Sequence, residues 1–204
     1  MKKIVYIIVV LLFVLSELFL IYKNSKLKSE ISSKDQFLNE LTSKYQTIKP
    51  QYELSIQNVG KTIKDFIIQD SLNNEIKFSE YIGQIADTIL ICRFSEKYCQ
   101  QCVNHAISVL KDNSEEFDFS KILFIADNSS TRVYNLQNQE YNLKNNNVVN
   151  IHDLSISAET LMFPYYIIIN KNLEILAFYT PNKTTHGTDI DFKNLKFVYD
   201  NFFK

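Results

Sequence analysis

The sequence predicts an α/β domain: a mixed central sheet flanked by helices, with an N-terminal β-hairpin extension, preceded by a transmembrane helix and a helical stalk. Three observations lead there. Cys99-Gln-Gln-Cys102 closes an apolar run and opens a helical pattern, and a second strand-and-helix pattern follows it. Beyond Pro164, two apolar runs around a short turn read as a hairpin before a closing helix. Ahead of all this, Ile4 to Tyr22 is apolar with one charged interruption, Glu17.

Size and composition set the frame. The 204 residues leave room for one ordinary domain with appendages, and 46% hydrophobic residues suffice for a packed core. Residues 1–50 carry eight lysines and four acids, net +4, while the remaining 14 Lys+Arg and 19 acids give −5. A mildly acidic domain has no electrostatic reason to bind nucleic acid. The basic excess lies beside the apolar N-terminus, where it suits a membrane flank.

The 19 residues Ile4 to Tyr22 exceed the apolar region of a secretory signal and match a spanning helix, so residues 1–22 read as an uncleaved anchor, with a signal segment as the lesser reading. From residue 23 to 50, Leu27, Ile31, Lys34, Leu38, Leu41, Tyr45 and Ile48 follow heptad steps, which predicts a helical stalk with weak self-association as one use. Lys49-Pro50 should end it. The domain, residues 51–204, then opens with a β-rich entry: Asp65 to Asp70 and Glu75 to Phe78 form a hairpin, and Ser79 caps a short helix containing Tyr81.

Thr88 to Phe94 reads as a buried strand, and Val103, Ala106, Ile107 and Leu110 then mark one helix face, ending near Asn113. Lys121 to Ala126 is the next strand, followed by a helix through about Tyr141, an Asn-rich loop and a short edge strand at Val148 to Ile151. Ser157 to Thr160 forms a turn, Tyr165 to Ile169 and Leu173 to Phe178 pair as a hairpin, and Thr188 or Asp189 caps a last helix with Leu195, Val198, Tyr199 and Phe202 on its apolar face.

A Cys-x-x-Cys at a strand-to-helix turn is placed for thiol chemistry. The unpaired N–H groups and positive dipole end of the helix favour a thiolate, so Cys99 reads as the nucleophile and Cys102, one turn further in, as the resolving thiol. Cys92, inside the strand, reads as a small buried hydrophobe. Cys99, Cys102 and His105 also allow a non-enzymatic dithiol module that binds copper or another soft metal, or a redox-sensitive adaptor. No second Cys-x-x-Cys follows, His152 and His186 fall in other predicted loops, and His105 reads as an exposed helix residue.

Over residues 57–204 this order of elements resembles the thioredoxin fold. Gly60-Lys61, Asp65-Phe66, Asp70 and Ser79-Glu80-Tyr81 are similar to the opening of membrane-anchored TlpA-like thiol-disulfide oxidoreductases. The resemblance implies a single-pass protein of the bacterial cytoplasmic membrane whose domain faces the periplasm or cell exterior. There it would exchange a Cys99–Cys102 dithiol/disulfide with exported protein substrates or a partner redox protein, without metal or any cofactor beyond that disulfide. It also implies that Pro164 corresponds to the proline, cis in the family, that faces the cysteines, although the sequence does not fix the isomer here, that Phe163 offers its backbone to substrate, and that Tyr98 supplies an aromatic wall where relatives have Trp. Two departures bear on chemistry. Gln-Gln stands between the cysteines where many relatives have a proline, and Arg93 stands where thioredoxins carry a buried Asp. Strand alternation leaves Arg93 free to point inward, favouring thiolate, or outward as a solvated charge. Glu96 is then its partner, a proton relay, or a surface carboxylate.

Overall fold

The computed structural model describes the backbone of residues 2–69, 75–143, 147–181 and 187–203, and their side chains except at 2–12, 14, 44, 47, 48, 51, 69, 147 and 187–189. The chain divides into two compact units, Met1–Pro50 and Gln51–Lys204. Residues of the first belong to helix α1 (Lys2–Asn58), and its seam residues Leu27, Ile31, Leu38, Leu41 and Tyr45 are exposed. Among the described residues no helix is long and apolar enough to cross a membrane. The expected anchor, residues 4–22, lies largely outside the described side chains.

The expected helix stop at Lys49-Pro50 and the β-rich start of the second unit are both corrected, because Pro50 lies inside α1, which continues to Asn58. Proline removes one backbone donor without forbidding the helix on either side. What holds the last turns is tertiary: Leu54 packs against the core, and the buried Asn58 donates from Nδ2 to the Leu54 carbonyl at 2.7 Å. The helix then ends at Gly60, whose φ of 80° is the left-handed conformation glycine adopts without strain.

The hairpin is present but shorter than expected. β1 (Ile67–Gln69) pairs antiparallel with β2 (Glu75–Lys77), and the turn between them lies outside the described residues, as does Asp70. Helix α2 (Phe78–Ile85) follows directly. Ser79 does not cap it: Ser79 sits in the first turn, and its N–H and hydroxyl both donate to the Asp65 carboxylate, at 3.0 and 2.8 Å. The capping carboxylate therefore comes from the strand side.

The main sheet has the order β5-β4-β3-β6-β7. Its central strand β3 (Thr88–Ser95) is parallel to β4 (Ile122–Asp127), which is parallel to the edge strand β5 (Asn147–Asn150). On the other side β3 is antiparallel to β6 (Tyr165–Asn170), itself antiparallel to β7 (Ile175–Tyr179). Helices α3 (Gln100–Lys111) and α4 (Thr131–Glu140) follow β3 and β4, and α5 (Gly187–Phe203) closes the chain. This is the thioredoxin-like α/β arrangement.

Alternation along β3 divides the core. Ile89 and Ile91 face a cluster with Ile63, Phe78 and Ile82, whereas Leu90, Cys92 and Phe94 face one built from α3 and α5 with Val103, Leu110, Leu195 and Tyr199. Both faces are covered, which is why β3 reads as an apolar run interrupted only by Arg93 before its terminal Ser95. In α5, Phe203 packs on the core and Phe202 is exposed, a one-residue change from the expected face. The expected caps Thr188 and Asp189 have side chains outside the described residues.

Candidate active site around Cys99 and Cys102

β3 delivers the chain to the site and a tight turn redirects it. The Tyr98 N–H donates to the Ser95 carbonyl at 3.1 Å, the Glu96 N–H to the Asp127 carbonyl at 3.2 Å, and the Lys97 N–H to Ser95 Oγ at 3.2 Å. Cys99 is the residue that caps α3: its carbonyl accepts from the Cys102 and Val103 N–H groups at 2.8 and 3.0 Å. Cys99 is half-buried and Cys102 is buried. Cys92 is fully buried on β3, and burial pushes its thiol far above the ordinary range, consistent with its reading as a core hydrophobe.

Pro164 lies just outside the β6 register that pairs Arg93 with Tyr165, so it sits beside the end of β3 from which the Cys99 turn departs. It is buried, and the preceding Met162 and Phe163 are exposed. The isomer of the Phe163–Pro164 bond, which the sequence leaves open, is trans: no described peptide bond is cis. The trans form is the intrinsically preferred isomer of an X–Pro bond.

Arg93 points inward. It is 0% exposed, and its Nε and Nη2 donate to the two oxygens of Glu159 at 3.0 and 2.8 Å. Its remaining hydrogen bonds go to the carbonyls of Ile151 at 2.6 Å and His152 at 3.1 Å. The Tyr165 hydroxyl donates to Glu159 Oε1 at 2.6 Å, completing the network. The expected effect of a bare inward Arg on the cysteines is therefore revised, because a bidentate carboxylate neutralises it. Burial lowers the Arg93 pKa, but the bonds and charge of Glu159 outweigh it and raise the value overall. Tyr98, buried next to Cys99, senses this pair: burial and then the Glu159 charge push its hydroxyl up to about 12, with Arg93 opposing.

Glu96, offered by the sequence as a partner of Arg93, instead accepts from the Ser129 N–H at 3.1 Å. The base of the turn is held by Asp127, at the end of β4. Its carboxylate accepts from Ser95 Oγ at 3.0 Å, Lys97 Nζ at 3.2 Å and His152 Nδ1 at 3.0 Å. Burial alone would raise the Asp127 pKa, but the bonds from His152, Lys97 and Ser95 prevail and hold it below the usual carboxylate range. His152 thus belongs to the site's surroundings, through its ring and its carbonyl, while His186 lies outside the described residues.

His105 is not the exposed residue the helix pattern implied. Its side chain is 18% exposed, and Nε2 meets Asp191 Oδ2 at 2.6 Å; Asp191 is fully buried and accepts from the Tyr179 hydroxyl at 2.5 Å. Among the described residues no cluster of three or more His, Cys, Asp or Glu side chains is placed to hold a metal ion. Glu159, Asp127 and Asp191 were absent from the sequence reading. The signal for Glu159 was nonetheless present: an arginine in a strand covered on both faces needs a carboxylate, and an acid precedes Pro164 by five residues.

No protein-family model matches the chain, and no curated protein does. Among solved structures, a thiol:disulfide interchange protein from Bacteroides sp. is 14% identical, with 69% of this chain and 90% of that one covered at a TM-score of 0.43. The thioredoxin domain of a thiol-disulfide oxidoreductase from Bacteroides vulgatus is 11% identical, covering 69% and 96%, with a TM-score of 0.44. A peroxidoxin from Mycobacterium tuberculosis is 12% identical, covering 72% and 99%, with a TM-score of 0.48. Likeness at this level carries nothing about activity.

Proposed function

We propose that this chain is a membrane-tethered thiol-disulfide oxidoreductase acting outside the bacterial cytoplasmic membrane. The observation that carries the reading is the placement of the pair: Cys99 half-exposed at the cap of α3, Cys102 buried one turn in, at the end of the central strand. As a reductant, the Cys99 thiolate attacks a substrate disulfide, one substrate sulfur leaves as thiolate, and a Cys99–substrate disulfide forms. Cys102 then attacks the Cys99 sulfur, the Cys99–Cys102 disulfide forms, and the second substrate thiolate leaves. The reverse sequence oxidises a dithiol. The disulfide itself is the redox group, and neither metal nor further cofactor enters.

Substrates are exported proteins or a partner redox protein, docked across Tyr98 and the Phe163-Pro164 segment. Exposed Met162 and Phe163 suit an extended apolar segment. Residues 4–22 anchor the chain, and the exposed heptad stripe of the stalk suits weak self-association. Replacing Cys102 with Ala tests the chemistry: mixed disulfides through Cys99 should accumulate in cells and with model disulfides. Absence of any adduct that depends on Cys99 would defeat the proposal.

A further inference from the structure

We propose that His105, held by Asp191 and Tyr179, accepts the proton of the Cys102 thiol as Cys102 resolves a mixed disulfide. The inference rests on the redox reading above and deepens it. Three elements build the group: His105 from α3, Asp191 from the first turns of α5, and Tyr179 from the end of β7. Asp191 is 0% exposed, and each of its oxygens meets a different partner, so the carboxylate is locked between hydroxyl and imidazole. A carboxylate only accepts, which makes Nε2 of His105 the donor and leaves Nδ1 as the basic nitrogen of the neutral ring.

Position then selects the thiol. Cys102 and His105 are three residues apart on α3, so their Cβ atoms are roughly 5–6 Å apart on the helix surface. Helical side chains tilt toward the N-terminus, so His105 leans over the turn that holds Cys102. Other carboxylates near the site are engaged. Glu159 is occupied by Arg93 and Tyr165, and Asp127 by Ser95, Lys97 and His152, while Glu96 accepts from Ser129. Arg93, at the strand position beneath the motif, cannot accept a proton at all.

The step balances. The Cys102 S–H bond breaks and its proton passes to Nδ1 of His105, while the Cys102 sulfur attacks Cys99. The Cys99–Cys102 bond forms, the Cys99–substrate bond breaks, and the electron pair leaves on the substrate thiolate, which takes up a proton from His105 or water. Asp191 of α5 meets His105 directly, Tyr179 of β7 meets Asp191, and Tyr166 of β6 and Cys92 of β3 lie in the same electrostatic neighbourhood as Asp191 and Tyr179. The phenols and Cys92 stay neutral at physiological pH because burial pushes each of them up.

The test uses the full chain in detergent and an aromatic disulfide that releases a coloured thiolate. The first release reports attack by Cys99 and the second reports resolution by Cys102. In His105→Gln the ratio of second to first rate should fall about a hundredfold or more near neutral pH, the lower end of what a positioned base contributes. Asp191→Asn should fall between this variant and the wild type. The pH profile of resolution should change in His105→Gln while that of the first release stays as in the wild type. Wild-type ratios and pH profiles in both variants would overturn the inference. Should His105→Gln not fold, a wild-type ratio in Asp191→Asn overturns it equally. Loss of the first release, or its persistence in Cys99→Ala, would instead defeat the redox reading itself.

Discussion

Replacing Glu159 with Gln perturbs the Arg93 network with almost no change in volume. The amide carbonyl can stand in for Oε1, which accepts from Arg93 Nε and the Tyr165 hydroxyl, but the amide nitrogen then faces Arg93 Nη2 across 2.8 Å, donor against donor. Arg93 is 0% exposed and Glu159 only 16%, so solvent repairs little. Breaking a buried pair from one side costs roughly 3–5 kcal/mol, and partial exposure of Glu159 places this variant near 3. That is a large share of a typical domain stability of about 5–15 kcal/mol. The chain has no Trp, so denaturant unfolding is followed by circular dichroism. Combining Arg93→Met with Glu159→Gln should recover about 1–3 kcal/mol relative to the sum of the single changes. An uncompensated Arg93 beside Tyr98 should also speed alkylation of Cys99 at neutral pH, because a nearby cation favours thiolate. A cost below about 1 kcal/mol for the single variant, with no coupling in the cycle, would refute the account of Arg93.

Other perturbations have equally definite outcomes. Asp127 has a folded pKa below its unfolded value, so its contribution is present above the ordinary carboxylate pKa of about 3.9 and is lost as pH falls through the folded value. Asp127→Asn should therefore flatten acid unfolding below the ordinary carboxylate range of about pH 4, and an unchanged acid limb would count against the assignment. Tyr98 shifts the other way, to about 12, so the stability linked to its proton is complete below about pH 10 and is lost as pH rises through 12. Tyr98→Phe should weaken alkaline unfolding; an identical alkaline limb would contradict the shift. Cys92→Ala should cost about 1–2 kcal/mol through the small cavity it leaves and spare thiol exchange, whereas loss of exchange would give that thiol a role in the chemistry.

The legible parts of the fold were those with one dominant physical signal. Strands β3, β4 and β6 are largely apolar runs covered on both sides, β7 is an apolar edge strand, and α3 carries a clear helical period after Cys99. The segment from Gln51 to Asn58 was not legible, because Pro50 is a strong local stop signal while the packing of Leu54 and the bonding of Asn58 are long-range. Arg93 was ambiguous for a related reason. Alternation assigns a face only when one side of a strand is wet, and β3 has no wet side. Its partner lies 66 residues away, and the partner of His105 lies 86 away, distances at which spacing carries no information.

The long-range contacts of Asn58 and Arg93 converge on the short helical turn Ser157–Thr160. Asn58 Oδ1 accepts from Ser157 Oγ at 2.9 Å, tying that turn to the end of α1, while Glu159 ties it to Arg93 on the central strand. Only Thr160 to Phe163 then separate Glu159 from the buried Pro164, so the exposed Met162 and Phe163 hang between two fixed points. A segment restrained at both ends loses less conformational entropy when it meets a partner than a free loop would. The buried ion pair is therefore better understood as orienting the loop opposite Cys99 than as adding net stability, since buried pairs roughly break even against apolar substitutes. On that argument, apolar replacement of both Arg93 and Glu159 can leave a folded protein whose mixed-disulfide formation with protein substrates is slowed more than its reaction with small disulfides.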